Sequence, residues 1–218
     1  MPLFCCVNRA TEDGLAPTIK TERSANHMIK LETERLIIRD PSHSDLAVWH
    51  KLLSDPTVMY HLQDIKTNSI EESENNLKDA VVEAKSEDRT KYFLVIELKE
   101  TSAFVGSIGY TVTQETPAGK FAHIGYFILE NYHNHGYVTE ALKEVIRFAF
   151  ENDGVYRMET GCFAENLASE QVMKKCGMIK EAERKSYVWH EGELKDRVEY
   201  RLLKDEWEKV ACEPGQLK

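Results

Sequence analysis

Three clusters of residues in this chain are of types, and at spacings, that could do chemistry. The first is His133-Asn134-His135-Gly136-Tyr137-Val138-Thr139, which follows the apolar run Ile124–Leu129 and opens an amphipathic stretch. A strand, a glycine turn and a helix start in that order make an anion site. The first helical turn has amide N–H groups without partners and the helix dipole adds partial positive charge there. Gly136 would let the backbone approach a phosphate with no Cβ in the way. The second cluster is Asn166-Leu-Ala-Ser169, ahead of a short helical segment that stops at Cys176-Gly177. Residue types such as these favour the start of a helix, where both can cap it. The third is His123 in Ala122-His-Ile-Gly-Tyr126. With an ordinary pKa near ~6.5, an imidazole accepts a proton at neutral pH; the plain alternative is a half-exposed strand histidine without a role.

The elements that must position these residues read in order along the chain. Arg35–Arg39 is a short β-rich run. Ser42 and Asp45 make a capping-box start for a helix through Leu53, halted by Asp55-Pro56. Ser69 and Glu72 repeat the signature before a helix to about Lys85. Tyr92–Leu98 and Phe104–Tyr110 are strands joined by a polar turn; a loop with Pro117 and Gly119 leads to the strand His123–Leu129. From Gly136 to about Asn152, Val138, Ala141, Leu142, Val145 and Ala149 recur at helical spacing and form a core-facing stripe. Tyr156–Phe163 is a strand, Ala168–Lys175 a short helix with a glycine C-cap, and Lys180–Trp189 with Leu194–Leu203 a hairpin around Glu191-Gly192. The order is β-α-α-β-β-β-α-β-α-β-β. Three successive strands before the glycine turn point to an α+β fold with a mixed, largely antiparallel sheet flanked by helices. A dinucleotide-binding fold would need repeated βαβ units and G-x-G-x-x-G.

Bulk properties narrow the setting. The chain has 218 residues and 42% apolar content, enough for one domain with a substantial core. Residues 28–210 read as that domain, 1–27 as a flexible tail or leader, and 211–218 as a C-terminal tail. With 28 basic and 37 acidic residues the net charge is −9, which argues against nucleic acid as a partner and suits a cationic substrate or plain solubility. Five cysteines without a C-x-x-C pair indicate neither a disulfide framework nor a zinc site, and Cys162 and Cys176 read as core residues. His133-x-His135 lacks a third ligand, so no metal is expected. No stretch is long and apolar enough for a membrane span, and the first residues are not a secretory signal. A cytoplasmic protein is the expectation.

The segments His133–Leu142 and Asn166–Met178 together resemble the GNAT superfamily of acyl-CoA N-acyltransferases, and more closely its RimJ/RimL-like branch of ribosomal-protein N-terminal acetyltransferases. The likeness extends over about residues 30 to 205. It implies the acyl-CoA N-acyltransferase fold, with two strands splaying apart around the cofactor arm, and acetyl-CoA as co-substrate. It places the pyrophosphate on His133, Asn134, His135, Gly136, Tyr137, Val138 and Thr139, and the pantetheine arm on Asn166 and Ser169. It makes Ser169 the acid for the departing thiolate and sets the oxyanion-binding amide within Phe127, Ile128 and Leu129. His123 stands where relatives often carry a glutamate base.

Three departures accompany the likeness. His133 replaces Arg or Gln, Val138 replaces a small residue, and Asn134 occupies a site that is often glycine. The resemblance implies an acetyltransferase acting on a primary amine by direct transfer in a ternary complex. The amine bears on the acceptor: holding a lysine-like amine of pKa near ~10.4 neutral at pH 7 costs roughly 4 kcal/mol, against roughly 1 kcal/mol for an α-amine near ~8. A protein N-terminus is therefore the first expectation. A small-molecule amine (a polyamine or an antibiotic) and a non-catalytic acyl-CoA-binding module are the alternatives. Tyr60 and His61 are placed at the acceptor mouth, Trp49 in packing, and Tyr187, Trp189 and Asp196 beside the groove. A homodimer is compatible with the branch.

Overall fold

A computed structural model of the protein describes residues 28–211. The elements are β1 (Lys30–Glu32), β2 (Leu36–Arg39), α1 (Leu46–Ser54), α2 (Ile70–Ala84), β3 (Lys91–Leu98), β4 (Phe104–Thr116), β5 (Gly119–Ile128), α3 (Tyr137–Asn152), β6 (Val155–Phe163), α4 (Leu167–Lys175), β7 (Ile179–His190), β8 (Glu193–Leu203) and α5 (Lys204–Ala211). All eight strands among the described residues join one sheet in the order β1-β2-β3-β4-β5-β6-β8-β7. Every pairing is antiparallel except β5 with β6, which are linked through α3 and run parallel. The expected mixed, largely antiparallel sheet flanked by helices is what the chain forms.

The parallel pair positions the site. Its register runs from Lys120↔Val155 to His123↔Glu159 and then stops. Beyond it, Ile124–Ile128 of β5 pair with β4 alone, and Thr160–Phe163 of β6 pair with β8 alone. The strands thus part along their C-terminal halves, toward the ends that lead into α3 and α4. The crevice beyond the carboxyl ends of parallel strands, where connections diverge, is where open α/β sheets bind ligands.

Each face of the sheet carries its own core. On one side α3 and α4 cover Ile124, Ile128, Met158 and Cys162; on the other, α1 and α2 pack Trp49, Leu52 and Leu77 over Val95, Phe104 and Leu129. The stripe on α3 is buried as its spacing predicts, with Ile146 and Phe150 completing it. Full burial of Leu142, Val145, Ile146 and Phe150 stabilises by about 1.5–3 kcal/mol each relative to exposure. The glycine stop on α4 is a Schellman turn: Gly177 lies at φ +77°, the Met178 amide donates to the Met173 carbonyl at 3.1 Å and the Gly177 amide to Lys174 at 3.0 Å. Glu191 and Gly192, both at positive φ, make the turn between β7 and β8.

Four features depart from the sequence reading. The helix expected from Ser42 begins as a 3-10 turn at His43–Asp45 before α1, because the Asp45 carboxylate that accepts from the Ser42 amide (2.7 Å) also binds Arg39. The stretch read as a loop around Pro117 is the tip of a long hairpin: β4 extends to Thr116 and β5 starts at Gly119, with the Thr116 hydroxyl donating to the Gly119 carbonyl at 2.7 Å. Strand β1 is too short for a periodic signal and exists by pairing with β2. Helix α5 was not foreseen; Trp207 packs on Phe150 with ring centroids 5.6 Å apart. The tail assigned to residues 1–27 lies outside the described residues, as does 212–218, while Ala211 closes α5. No helix among the described residues is long and apolar enough to cross a membrane.

Candidate active site

Backbone geometry decides which amide faces the gap between β5 and β6. The Leu129 amide donates to the Val105 carbonyl at 3.0 Å, continuing the β4–β5 ladder past Gly106↔Ile128. In an antiparallel ladder such bonded positions alternate with positions whose amides point the other way. Phe127 therefore falls with Leu129 on the β4 side, and Ile128 turns its N–H toward the gap. Of the three candidates for an oxyanion donor, Phe127 and Leu129 are corrected to structural positions, and Ile128 remains. The Phe127 and Leu129 side chains pack on the α1–α2 core.

At the end of β5 the chain makes a 3-10 turn (Glu130–Tyr132) and enters the anion loop. Gly136 is the N-cap of α3 at φ +79°. A Cβ there would meet only Arg35 Nη2, at an ordinary 3.5 Å, so the left-handed backbone and not crowding is what calls for glycine. Asn134 is also left-handed, at φ +62°, a conformation asparagine tolerates better than other side chains. That accounts for asparagine at a position often held by glycine. Val138 lies partly buried against the α3–α4 core, which directs its bulk inward. The His133 ring nitrogen Nε2 is 3.3 Å from the Ile128 carbonyl, and His135 Nδ1 is 2.7 Å from the His133 carbonyl. Both rings brace the loop. His135 and Tyr137 stack at 5.5 Å. Thr139 is half-buried in the first turn, and its carbonyl lies 3.6 Å from Cys176 Sγ.

Arg35, distant in sequence, completes this corner. Its Nε donates to Glu140 Oε2 (2.7 Å), its Nη1 to the His135 carbonyl (3.0 Å), and its guanidinium lies 4.7 Å over the Tyr137 ring. Thr33 and the Arg35 amide also donate to Glu140 Oε1, at 2.5 and 2.9 Å. Burial alone would raise the Glu140 carboxyl, yet these bonds from Thr33 and Arg35 hold it below the usual range. A carboxylate in the first turn would repel a phosphate; here its charge is balanced by Arg35. First-turn amides and a threonine hydroxyl form a donor set that fits a diphosphate, and the nearby carboxylate is kept from opposing it by Arg35.

Across the gap, Asn166 caps α4, its Oδ1 accepting from the Ser169 amide at 3.1 Å. Capping consumes the carboxamide oxygen only. The Ser169 hydroxyl is 2.9 Å from the Tyr126 hydroxyl, which is also 3.2 Å from the Ser169 carbonyl. Burial pushes the Tyr126 phenol above its ordinary value, with the Ser169 bond opposing, so it stays protonated. Tyr126 and Ser169 thus form a hydroxyl pair spanning the splayed strands. Cys162 and Cys176 are free and buried; burial raises both thiols, Cys176 to about 12, which leaves them inert.

His123 stands on the opposite face, at the last paired position before the strands part. Its side chain is exposed to solvent, yet the protein packed around the ring desolvates it enough to lower its pKa. The Arg197 charge lowers it further, against Glu199 and Glu159. The Arg197–Glu199 pair (2.9 Å) lies over Gly161, where any Cβ would clash with both side chains. Trp49 is core, its Nε1 donating to Asn76 at 2.9 Å, as its packing assignment expects. Tyr60 and His61 meet Phe163 and His190 at the far end of the same face. Tyr187 and Trp189 are exposed on the hairpin, and Asp196 binds Lys185 and the Ser186 amide.

Sequence reasoning missed Arg35, Glu140, Tyr126, Phe163 and His190. Tyr126 was legible, within the motif that drew notice to His123; Arg35 carried no local signal, because its partners lie on α3.

These features define an acetyltransferase: residues 35–179 match the acetyltransferase (GNAT) domain, and the chain belongs to that family. It is 27% identical to YnaD, an uncharacterized N-acetyltransferase of Bacillus subtilis (strain 168), over 81% of this chain and 98% of that protein. Its fold matches the ribosomal-protein-S5-alanine acetyltransferase of Vibrio fischeri (TM-score 0.71, 20% identity, 82% of this chain and 98% of that one). It also matches the spermidine N-acetyltransferase of Vibrio cholerae solved with CoA and spermine (TM-score 0.69, 15% identity, 80% and 99%). At these identities the two structures speak to fold alone.

Proposed function

We propose that this enzyme transfers the acetyl group of acetyl-CoA to the α-amine of a protein N-terminus, and that it works in the cytoplasm, where its buried thiols stay reduced. The observation that carries this reading is the parting of β5 and β6 after His123 and Glu159, which brings groups for binding, charge stabilisation and proton transfer to one gap. The first turn of α3, with Arg35 behind it, holds the pyrophosphate. The Asn166 carboxamide nitrogen, not used in capping, binds the pantetheine amides. The Ile128 N–H stabilises the oxyanion that develops on the carbonyl under attack. Ser169 protonates the departing thiolate and recovers a proton through the Tyr126 hydroxyl, which takes one from solvent as it gives one up, while His123 releases the amine's proton to solvent. His123 takes the proton from the attacking amine. Its lowered pKa matches an α-amine near ~8 far better than a polyamine near ~10.4.

The reading is tested by kcat/KM on N-terminal peptides, spermidine and an aminoglycoside, after calorimetric titration of acetyl-CoA against free pantetheine. A peptide preference is expected, with binding that weakens sharply for pantetheine. A polyamine preference would overturn the α-amine assignment. Ser169→Ala should lower kcat about 100-fold with little change in the KM for acetyl-CoA. Tyr126→Phe should lower it less, and the double variant should match Ser169→Ala alone. Additive losses would show that the two hydroxyls do not act in series.

A further inference from the structure

Counting along the parallel strands from His123 and Glu159 brings Phe127 of β5 and Phe163 of β6 to the same level, about 13 Å on. The Ile128 amide is next to that level, which sets Phe163 across the gap from the candidate oxyanion donor. Phe163 is not alone there. Its ring lies 4.9 Å from that of His190, at the end of β7, and 5.4 Å from His61; Tyr60 is 4.6 Å from His190, edge-on. His190 is 6% exposed, and its Nε2 is buried without a hydrogen-bond partner among the described residues. A buried, unpaired ring nitrogen destabilises the free protein, and such groups are rare enough to require a cause. A hydrogen-bonding group on the acceptor would satisfy it.

We infer that His190 is a specificity-determining residue, whose Nε2–H donates to the first carbonyl oxygen of a peptide acceptor while Tyr60 and Phe163 wall its N-terminal side chain. This rests on the α-amine reading above. The choice of a neutral oxygen over a second cationic amine follows from the donor. Glu165 and Glu193, the carboxylates beside the cluster, share Lys195, at 3.0 and 2.6 Å, and so keep one net negative charge. The ring N–H needs a lone pair to donate to, and an ammonium has none. A carbonyl needs only the N–H. A polyamine carries no such oxygen.

The test is kcat and KM of wild type, His190→Phe and His190→Gln on an N-terminal peptide and on spermidine, with thermal midpoints and acetyl-CoA affinity measured alongside. Phenylalanine keeps the ring and removes the orphaned nitrogen. It should raise the peptide KM roughly 3- to 10-fold with kcat and acetyl-CoA affinity held, and raise Tm by about 2–4 °C. Glutamine, whose amide nitrogen reaches the place of Nε2, should retain most peptide selectivity. Higher Tm with unchanged peptide KM would overturn the inference and leave the α-amine reading standing. So would a loss confined to spermidine, which would assign the ring to a cation. A wild type that turns over no peptide would remove both. Should His190→Phe not fold, His190→Asn decides: its nitrogen falls near Nδ1, so selectivity kept by Gln and lost by Asn supports the assignment, and equal behaviour overturns it.

Discussion

At the scale of single residues, the site works by setting protonation states through placement. Tyr126 is held protonated by burial, beside the serine that must give up a proton; His123 is held neutral by desolvation and by Arg197. The sign of the His123 shift makes a prediction. A base acts when deprotonated, and a lowered pKa means that it sheds its proton at lower pH. The acid limb of kcat should therefore lie below the ~6.5 of an unperturbed imidazole. In His123→Gln that limb should vanish, and the residual rate should climb toward the amine's own pKa near ~8. A pH–rate profile for both proteins checks this, and an unmoved limb in the variant would remove His123 from the reaction. The residue types were legible in the sequence, because His123, Gly136, Asn166 and Ser169 sit in local patterns. Whether they act was not, since burial and the facing charges come from other strands.

Among elements, the start of α3 is where local sequence and tertiary contact meet. Gly136 and Asn134 take the left-handed conformations their types allow, and the apolar stripe orients the helix. Neither feature neutralises Glu140, which a first-turn carboxylate at an anion site requires. Arg35 does so from β2's leading edge, half-exposed and bound to Glu140 and the His135 carbonyl. Arg35→Met should weaken acetyl-CoA binding about tenfold, while pantetheine, which lacks the pyrophosphate, loses little. Adding Glu140→Gln should restore part of that affinity, since the bared carboxylate is the source of the repulsion. Calorimetry on the single and double variants distinguishes this from a general loss of structure. Stability should fall by no more than about 1 kcal/mol, because the pair is partly exposed. An equal loss for pantetheine would refute the charge-balancing role.

On the scale of the whole molecule, one buried carboxylate joins α3 to the centre of the sheet. Asp153, at the C-cap of α3, accepts from the hydroxyls of Tyr92 (2.8 Å) and Tyr110 (3.0 Å) and from Lys120 Nζ (3.0 Å). Its side chain is fully buried, and the two tyrosine rings stack at 4.2 Å. Removing the carboxylate takes the shared buried acceptor from two hydroxyls and an ammonium, so Asp153→Ala should cost about 3–5 kcal/mol. Urea unfolding should show an earlier midpoint at constant slope; a cost under about 1 kcal/mol would mean that the network relaxes freely. In the sequence Asp153 is an ordinary polar residue after a helix. What the sequence by itself determined is the order of strands and helices, the glycine start of α3, the capped start of α4 and thereby the family, because caps, periodicity and positive-φ positions are local properties of the chain. Tertiary structure alone decided which amide faces the gap, which cation balances Glu140, which hydroxyl backs Ser169 and why His190 Nε2 has no partner among the described residues. Each of those depends on strand register and on contacts between residues far apart in sequence, and local patterns carry no record of them.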